Sequence, residues 1–204
     1  MFLGFLPALF YFKKGSEKKD YIKFLLPFIL YFFIASFYEV IFSHILQFDT
    51  TIWFRTHKII EFFSLLYFYN KLLGKNKLFL AWSIFFVLNY LYLIYEWIYF
   101  PIIGFNIMPL NIVVTSMVIV STIIWLVRAF RKMEEESFYA NPLFYVIGAI
   151  LLYYCSTFIV FIVTDYMKQY KMDILGFYMI VYYANLVLRG TLVIVFWKTS
   201  KSKV

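Results

Sequence analysis

The stretch LFLAWSIFFVLNYLYLIYEWIYF, residues 78–100, carries a single charge, Glu96, and two other strongly polar side chains, Ser83 and Asn89. About 20 apolar residues, at 1.5 Å of rise each, cross the hydrocarbon core of a bilayer. A helix that is apolar all round is buried in a large core or in lipid, so this stretch reads as a membrane span. Working outward, further apolar runs occupy 1–12, 21–47, 52–73, 107–130, 143–165 and 173–197. Of the 204 residues 64% are apolar and 25% aromatic, well beyond the make-up of soluble domains. The chain is therefore expected to be an all-α, polytopic seven-helix transmembrane bundle, a single domain over 1–204.

The first run is too short to cross a bilayer unaided, and its charges follow the apolar stretch instead of preceding it. That order is the reverse of a secretory signal, so the run reads as a retained short first helix. Cys155 lies alone in an apolar run and reads as packing.

Basic residues cluster after alternate runs: Lys13, Lys14, Lys18, Lys19 and Lys23; Lys71, Lys75 and Lys77; Arg128, Arg131 and Lys132; Lys198, Lys201 and Lys203. The opposite ends hold only Arg55, Lys58, Lys168 and Lys171. The positive-inside rule then places the N-terminus outside and the C-terminus in the cytoplasm. Net charge +8 is spent on these run ends and not along one face, which argues against nucleic acid.

Glu39, Glu61, Glu96 and Arg189 fall inside the runs, where an ionisable group is costly and is normally paired or faces a watery cavity. Counting along the helices places Glu61, Asn89 and Arg189 about 13–16 Å from the cytoplasmic ends. With Asn185, one turn from Arg189, they form a predicted mid-membrane polar layer, and a Glu61–Arg189 pair is the preferred contact. Such a layer could be a relay or gate; the plainer reading is a clamp that holds helix register.

Nearer the outer side, the same count puts Glu39, His57 and Glu96 at one height, with Asn106, Asn111, Thr164 and Asp165 from neighbouring run ends. This is the expected ligand-binding pocket, assigned to Glu39, His57, Glu96, Asn111 and Asp165. Tyr92 and Tyr182 share faces with the polar residues and are expected to line a cavity. His44, His57, Glu39 and Glu61 could ligate a metal, although there is no HExxH and no third histidine. Two histidines also disfavour the multi-histidine membrane hydroxylases. No cofactor is implied; the last run has no lysine for a retinal Schiff base, and the guanidinium of Arg189 stays protonated.

The stretch IWFRTHKIIEFFSLLYFYNKLL, residues 52–73, with its His-x-x-x-Glu-Phe centre, together with Leu6-Pro7 and Glu39, resembles a group of uncharacterised seven-helix inner-membrane proteins of Bacteroidota. The diagnostic part runs from His57 to Tyr69. Similar regions there are associated with histidine kinases, so the resemblance implies a signalling role and a bacterial inner-membrane location. The leading expectation is a receptor-like or signalling module that binds a small ligand from outside and acts through a partner such as a histidine kinase, in contact with membrane lipid. A transporter or channel for a cation, proton or small solute is the alternative, and a membrane-embedded metal-dependent hydrolase the third reading.

Overall fold

The computed structural model describes residues 4–13, 20–47, 51–74, 76–99, 107–132, 141–170 and 175–201. Among them the chain is helical throughout, without a strand: α1 Leu6–Lys13, α2 Asp20–Phe24, α3 Leu26–Phe37, a π-helical segment Tyr38–Ile45, α4 Thr51–Leu73, α5 Lys77–Tyr99, α6 Met108–Lys132, α7 Pro142–Gln169 and α8 Leu175–Lys201. Four helices are long and apolar enough to cross a membrane, over Lys77–Tyr99, Met108–Arg131, Pro142–Thr164 and Gly176–Lys198. The protein is a multi-pass integral membrane protein. Leu26–Phe42 is a shorter apolar helix. α4 has the length of a span but carries Arg55, Lys58, Glu61 and Lys71.

Local chemistry explains several boundaries. Gly74, at φ +83°, takes the left-handed conformation that ends a helix, and Arg128 of α6 donates to the last α4 carbonyl, Leu73 O. Two residues later the Asn76 side chain accepts a hydrogen bond from Leu78 N at 3.2 Å and starts α5 as its N-cap. Asn141 does the same for α7 through Leu143 N at 3.0 Å. The apolar run beginning at residue 21 is not one uniform helix. It breaks at Leu25 beside Pro27, and beyond Phe37 it widens into π turns, marked by Leu46 N donating to Ile41 O. Gln47, at φ +51°, closes it.

Six of these elements form a closed ring: α3 packs on α4, α4 on α6, α6 on α7, α7 on α8, α8 on α1, and α1 back on α3. α5 lies outside this ring against α6 and α4. Its buried residues are Phe79, Phe86 and Leu93, a single stripe at intervals of seven, while Leu80, Ile84, Leu88, Leu91 and Ile98 are exposed. Phe86 stacks face to face on Phe62 of α4, with centroids 3.9 Å apart. The rest of α5 is the apolar surface a lipid-facing helix presents.

The short α1 runs parallel to α8. A Cβ on Gly4 would meet Arg189, and Tyr11 meets Phe196 edge-on, so residue numbers rise together along the two helices. Gly4 is required there, because an added Cβ would fall 1.8 Å from Ser36 Oγ and 2.9 Å from Ser36 Cβ.

Candidate functional site

Inside the ring, the buried charges are shared out differently from the sequence expectation. Glu61, 1% exposed, faces Lys58 one turn earlier on α4, with Nζ 2.6 Å from Oε2. Across the ring, Tyr154 of α7 donates its hydroxyl to Glu61 Oε1 at 2.6 Å. The carboxylate thus has a cation from its own helix and a phenol from another, which is what a buried charge requires.

Arg189, 6% exposed on α8, donates from Nη1 to Ser36 Oγ of α3 at 3.2 Å, and its guanidinium stands 5.5 Å from the centroid of the Phe32 ring. The expected Glu61–Arg189 ion pair is therefore corrected. Lys58 reaches Glu61 without crossing any interface, while the guanidinium of Arg189 is taken up by Ser36 and the Phe32 ring of α3. Tyr31 and Tyr153 are within electrostatic reach of both Glu61 and Arg189, and also of Glu39. Tyr31 is buried and Tyr153 half-buried, so a group of phenols lies in the same region as the two charges.

Ser64 ties α4 to the start of α3, donating to Ile60 O at 2.6 Å and sharing the proton with Pro27 O at 3.3 Å. Deeper along the α4–α6 seam, the Tyr69 hydroxyl meets Thr122 Oγ1 at 2.9 Å. The π segment is held on α4 by stacked rings: Tyr38 lies between Phe42, at 5.1 Å, and Trp53, at 4.6 Å, and Trp53 stacks in turn on His57 at 5.9 Å. His57 Nδ1 lies 3.0 Å from Trp53 O, a carbonyl that can only accept, so Nδ1 carries the hydrogen. His57 is also within electrostatic reach of Glu61, as their i, i+4 spacing anticipates.

No protein-family model, curated protein or solved structure matches this chain.

Of the pocket residues expected from sequence, Glu39 is half-buried on the π segment, within electrostatic reach of Tyr31 and Tyr153, whereas Glu96 is on α5 outside the ring, beside Tyr92. No hydrogen bond or ion pair joins Glu39, His57 and Glu96 among the described residues. Asn111 is buried on α6, and its Nδ2 has no hydrogen-bond partner among the described residues; the same is true of Thr164 Oγ1 on α7 and Asn185 Oδ1 on α8. Asn89 donates to Phe85 O of its own helix at 2.8 Å, at the flank of the α5 stripe. Tyr92 and Tyr182 are more than half exposed and face outward, so neither lines a cavity in the ring.

The side chains of His44 and Asp165 lie outside the described residues, as does Asn106. Among the described residues no group of three or more His, Cys, Asp or Glu is placed to hold a metal ion. Lys58, Ser36, Tyr31, Tyr153 and Tyr154 escaped the sequence reading. Lys58 was legible, being i, i+3 from Glu61, but its place near a run end made it look like a topology signal. For the tyrosines there was no signal, since most helices carry several.

Proposed function

We propose that this protein is a receptor-like or signalling module of a bacterial inner membrane, in which a small ligand entering from the outer side shifts helix packing around the buried charges. The observation that carries the reading is Glu61, a buried carboxylate held at once by Lys58 of α4 and Tyr154 of α7. Its partners come from two helices that a ligand can move relative to each other. If α7 withdraws Tyr154, Glu61 keeps Lys58 and remains tolerable in lipid, so both arrangements are accessible. The π segment carries Glu39 in its first turn, within electrostatic reach of Tyr31 and Tyr153; π turns recur at functional sites.

On this reading the bundle has seven membrane helices, with α2, α3 and the π segment counted as one broken span and α1 as a short one. The N-terminus is outside and the C-terminus in the cytoplasm. The parallel run of α1 and α8 supports this orientation, because each ends in a basic cluster, Lys13 with Lys14 and Lys198 with Lys201. Output passes to a partner such as a histidine kinase docked on the basic ends. The group of Bacteroidota membrane proteins with the His-x-x-x-Glu-Phe pattern is consistent with that role.

Transport of a cation, proton or small solute is the second reading, favoured by the buried polar atoms of Asn111, Thr164 and Asn185. One experiment separates them. A photo-crosslinking residue at Arg131 or Lys198 in native membranes is expected to capture a histidine kinase whose autophosphorylation changes with Glu61→Gln. Proton or cation flux into proteoliposomes that Glu61→Gln abolishes would replace this reading with transport.

A further inference from the structure

A second polar site lies away from the charge cluster, where α4 ends and α5 begins. There the two helices leave an open-sided cleft of about 440 Å³, with Leu66 and Asn70 on α4 and Asn76, Lys77, Leu80 and Ser83 on the α5 side. Three of its polar groups are not used up within the fold. Asn70 Oδ1 is buried and accepts no hydrogen bond among the described residues. Asn76 spends its Oδ1 on Leu78 N as the α5 cap, which leaves its amide hydrogens to donate. Lys77 is exposed and makes no ion pair among the described residues. Ser83, by contrast, is committed to Phe79 O at 2.8 Å.

The cleft is amphipathic along its depth. Lys77 and Asn76 are at the helix ends; Leu66, seven residues before the end of α4, and Ser83, six into α5, lie about 10 Å deeper. In a bilayer this places donors at head-group level and Leu66, Phe79 and Leu80 beside the glycerol backbone and first acyl carbons. A cation and an amide donor at the rim fit a phosphodiester, and a buried amide oxygen beneath them requires a hydroxyl or ammonium donor. The apolar inner wall would be wasted on a free phosphate.

The geometry points to a binding site in this cleft for an anionic glycerophospholipid whose head group bears hydroxyls, of the phosphatidylglycerol class. Lys77 and Asn76 hold the phosphate, the head-group glycerol folds back beside it so that Asn70 Oδ1 accepts from its hydroxyl, and an acyl chain follows Leu66 and Leu80. Lys71 is the internal control: it is one residue from Asn70 but its ammonium stands 5.7 Å from the Tyr67 ring, and it does not line the cleft.

The test is native mass spectrometry of the full-length protein in dodecylmaltoside, titrated with dioleoylphosphatidylglycerol, dioleoylphosphatidylcholine or deacylated glycerophosphoglycerol. One phosphatidylglycerol is expected to be retained per chain, and Lys77→Gln and Asn70→Leu are each expected to weaken it about tenfold, with Lys71→Gln neutral. Phosphatidylcholine should bind more weakly and the deacylated head group not measurably. The proposal is overturned if Lys77→Gln, a surface change that leaves folding intact, binds like the wild type, or if Lys71→Gln weakens binding as much. Equal binding of phosphatidylcholine or of glycerophosphoglycerol overturns it too, the first because charge is not read, the second because the ligand is a soluble anion.

Discussion

At the scale of single residues, the chain's ionisable groups were conspicuous because hydrocarbon makes each one expensive; their partners were not. Glu61 stood out within an apolar run, yet what satisfies it is a lysine on its own helix and a tyrosine from α7. This arrangement predicts an ordering of variants. Lys58→Met strands the carboxylate and should destabilise by about 3–5 kcal/mol, while Lys58→Met with Glu61→Gln should cost clearly less than Lys58→Met alone. Tyr154→Phe removes one hydrogen bond and should cost about 1–3 kcal/mol. Unfolding of the purified protein by dodecyl sulfate titration reads all three, and equal losses for Lys58→Met and the double variant would remove the pair from the account. Gly4 makes a separate prediction. Gly4→Ala forces its Cβ into Ser36, so the melting temperature should fall, and Ser36→Ala in the same chain should not add its full cost, because it clears part of the clash.

Individual helices were the most legible part of the fold. The run at 78–100 is α5, Lys77–Tyr99; the Gly74 stop and the Asn76 cap on its N-terminal side came from the structure. Legibility failed inside the run from 21 to 47, where Pro27 and the widening into π turns after Phe37 divide what composition shows as continuous. Apolar content says that a segment belongs in lipid; it does not report the hydrogen-bond register within it. Equally hidden was which stripe of α5 faces protein, since lipid and protein interiors are both apolar. Phe86→Ala tests that stripe. In a water-soluble core such a truncation costs about 3–5 kcal/mol, but lipid replaces the lost surroundings, so here about 1 kcal/mol is expected, mainly the stacking on Phe62. A loss as large as in a soluble core would show that α5 packs against more than this one seam.

For the molecule as a whole, the ring of α1, α3, α4, α6, α7 and α8 decides which polar groups meet. Glu39 is within electrostatic reach of the phenols of Tyr31 and Tyr153, while Glu96, at a similar height by counting, rides on α5 outside the ring. Height along a helix can be read from residue number, but rotation about its axis and choice of neighbours cannot. The orientation proposed for the ring is tested with C-terminal fusions: green fluorescent protein after Val204 should fluoresce and alkaline phosphatase there should be inactive. The opposite pair of results would invert the topology and move the pocket to the cytoplasmic side.

The sequence by itself determined that this is a helical membrane protein and which side chains pay for being in the bilayer, because span length and the cost of buried charge are local properties. Only the tertiary structure decided that Glu61 belongs to Lys58 and Tyr154, that Arg189 belongs to Ser36 beneath Gly4, and that α1 packs against α8. Those are choices among helix faces that are almost equally apolar, and the energy separating them lies in specific contacts that residue spacing does not encode.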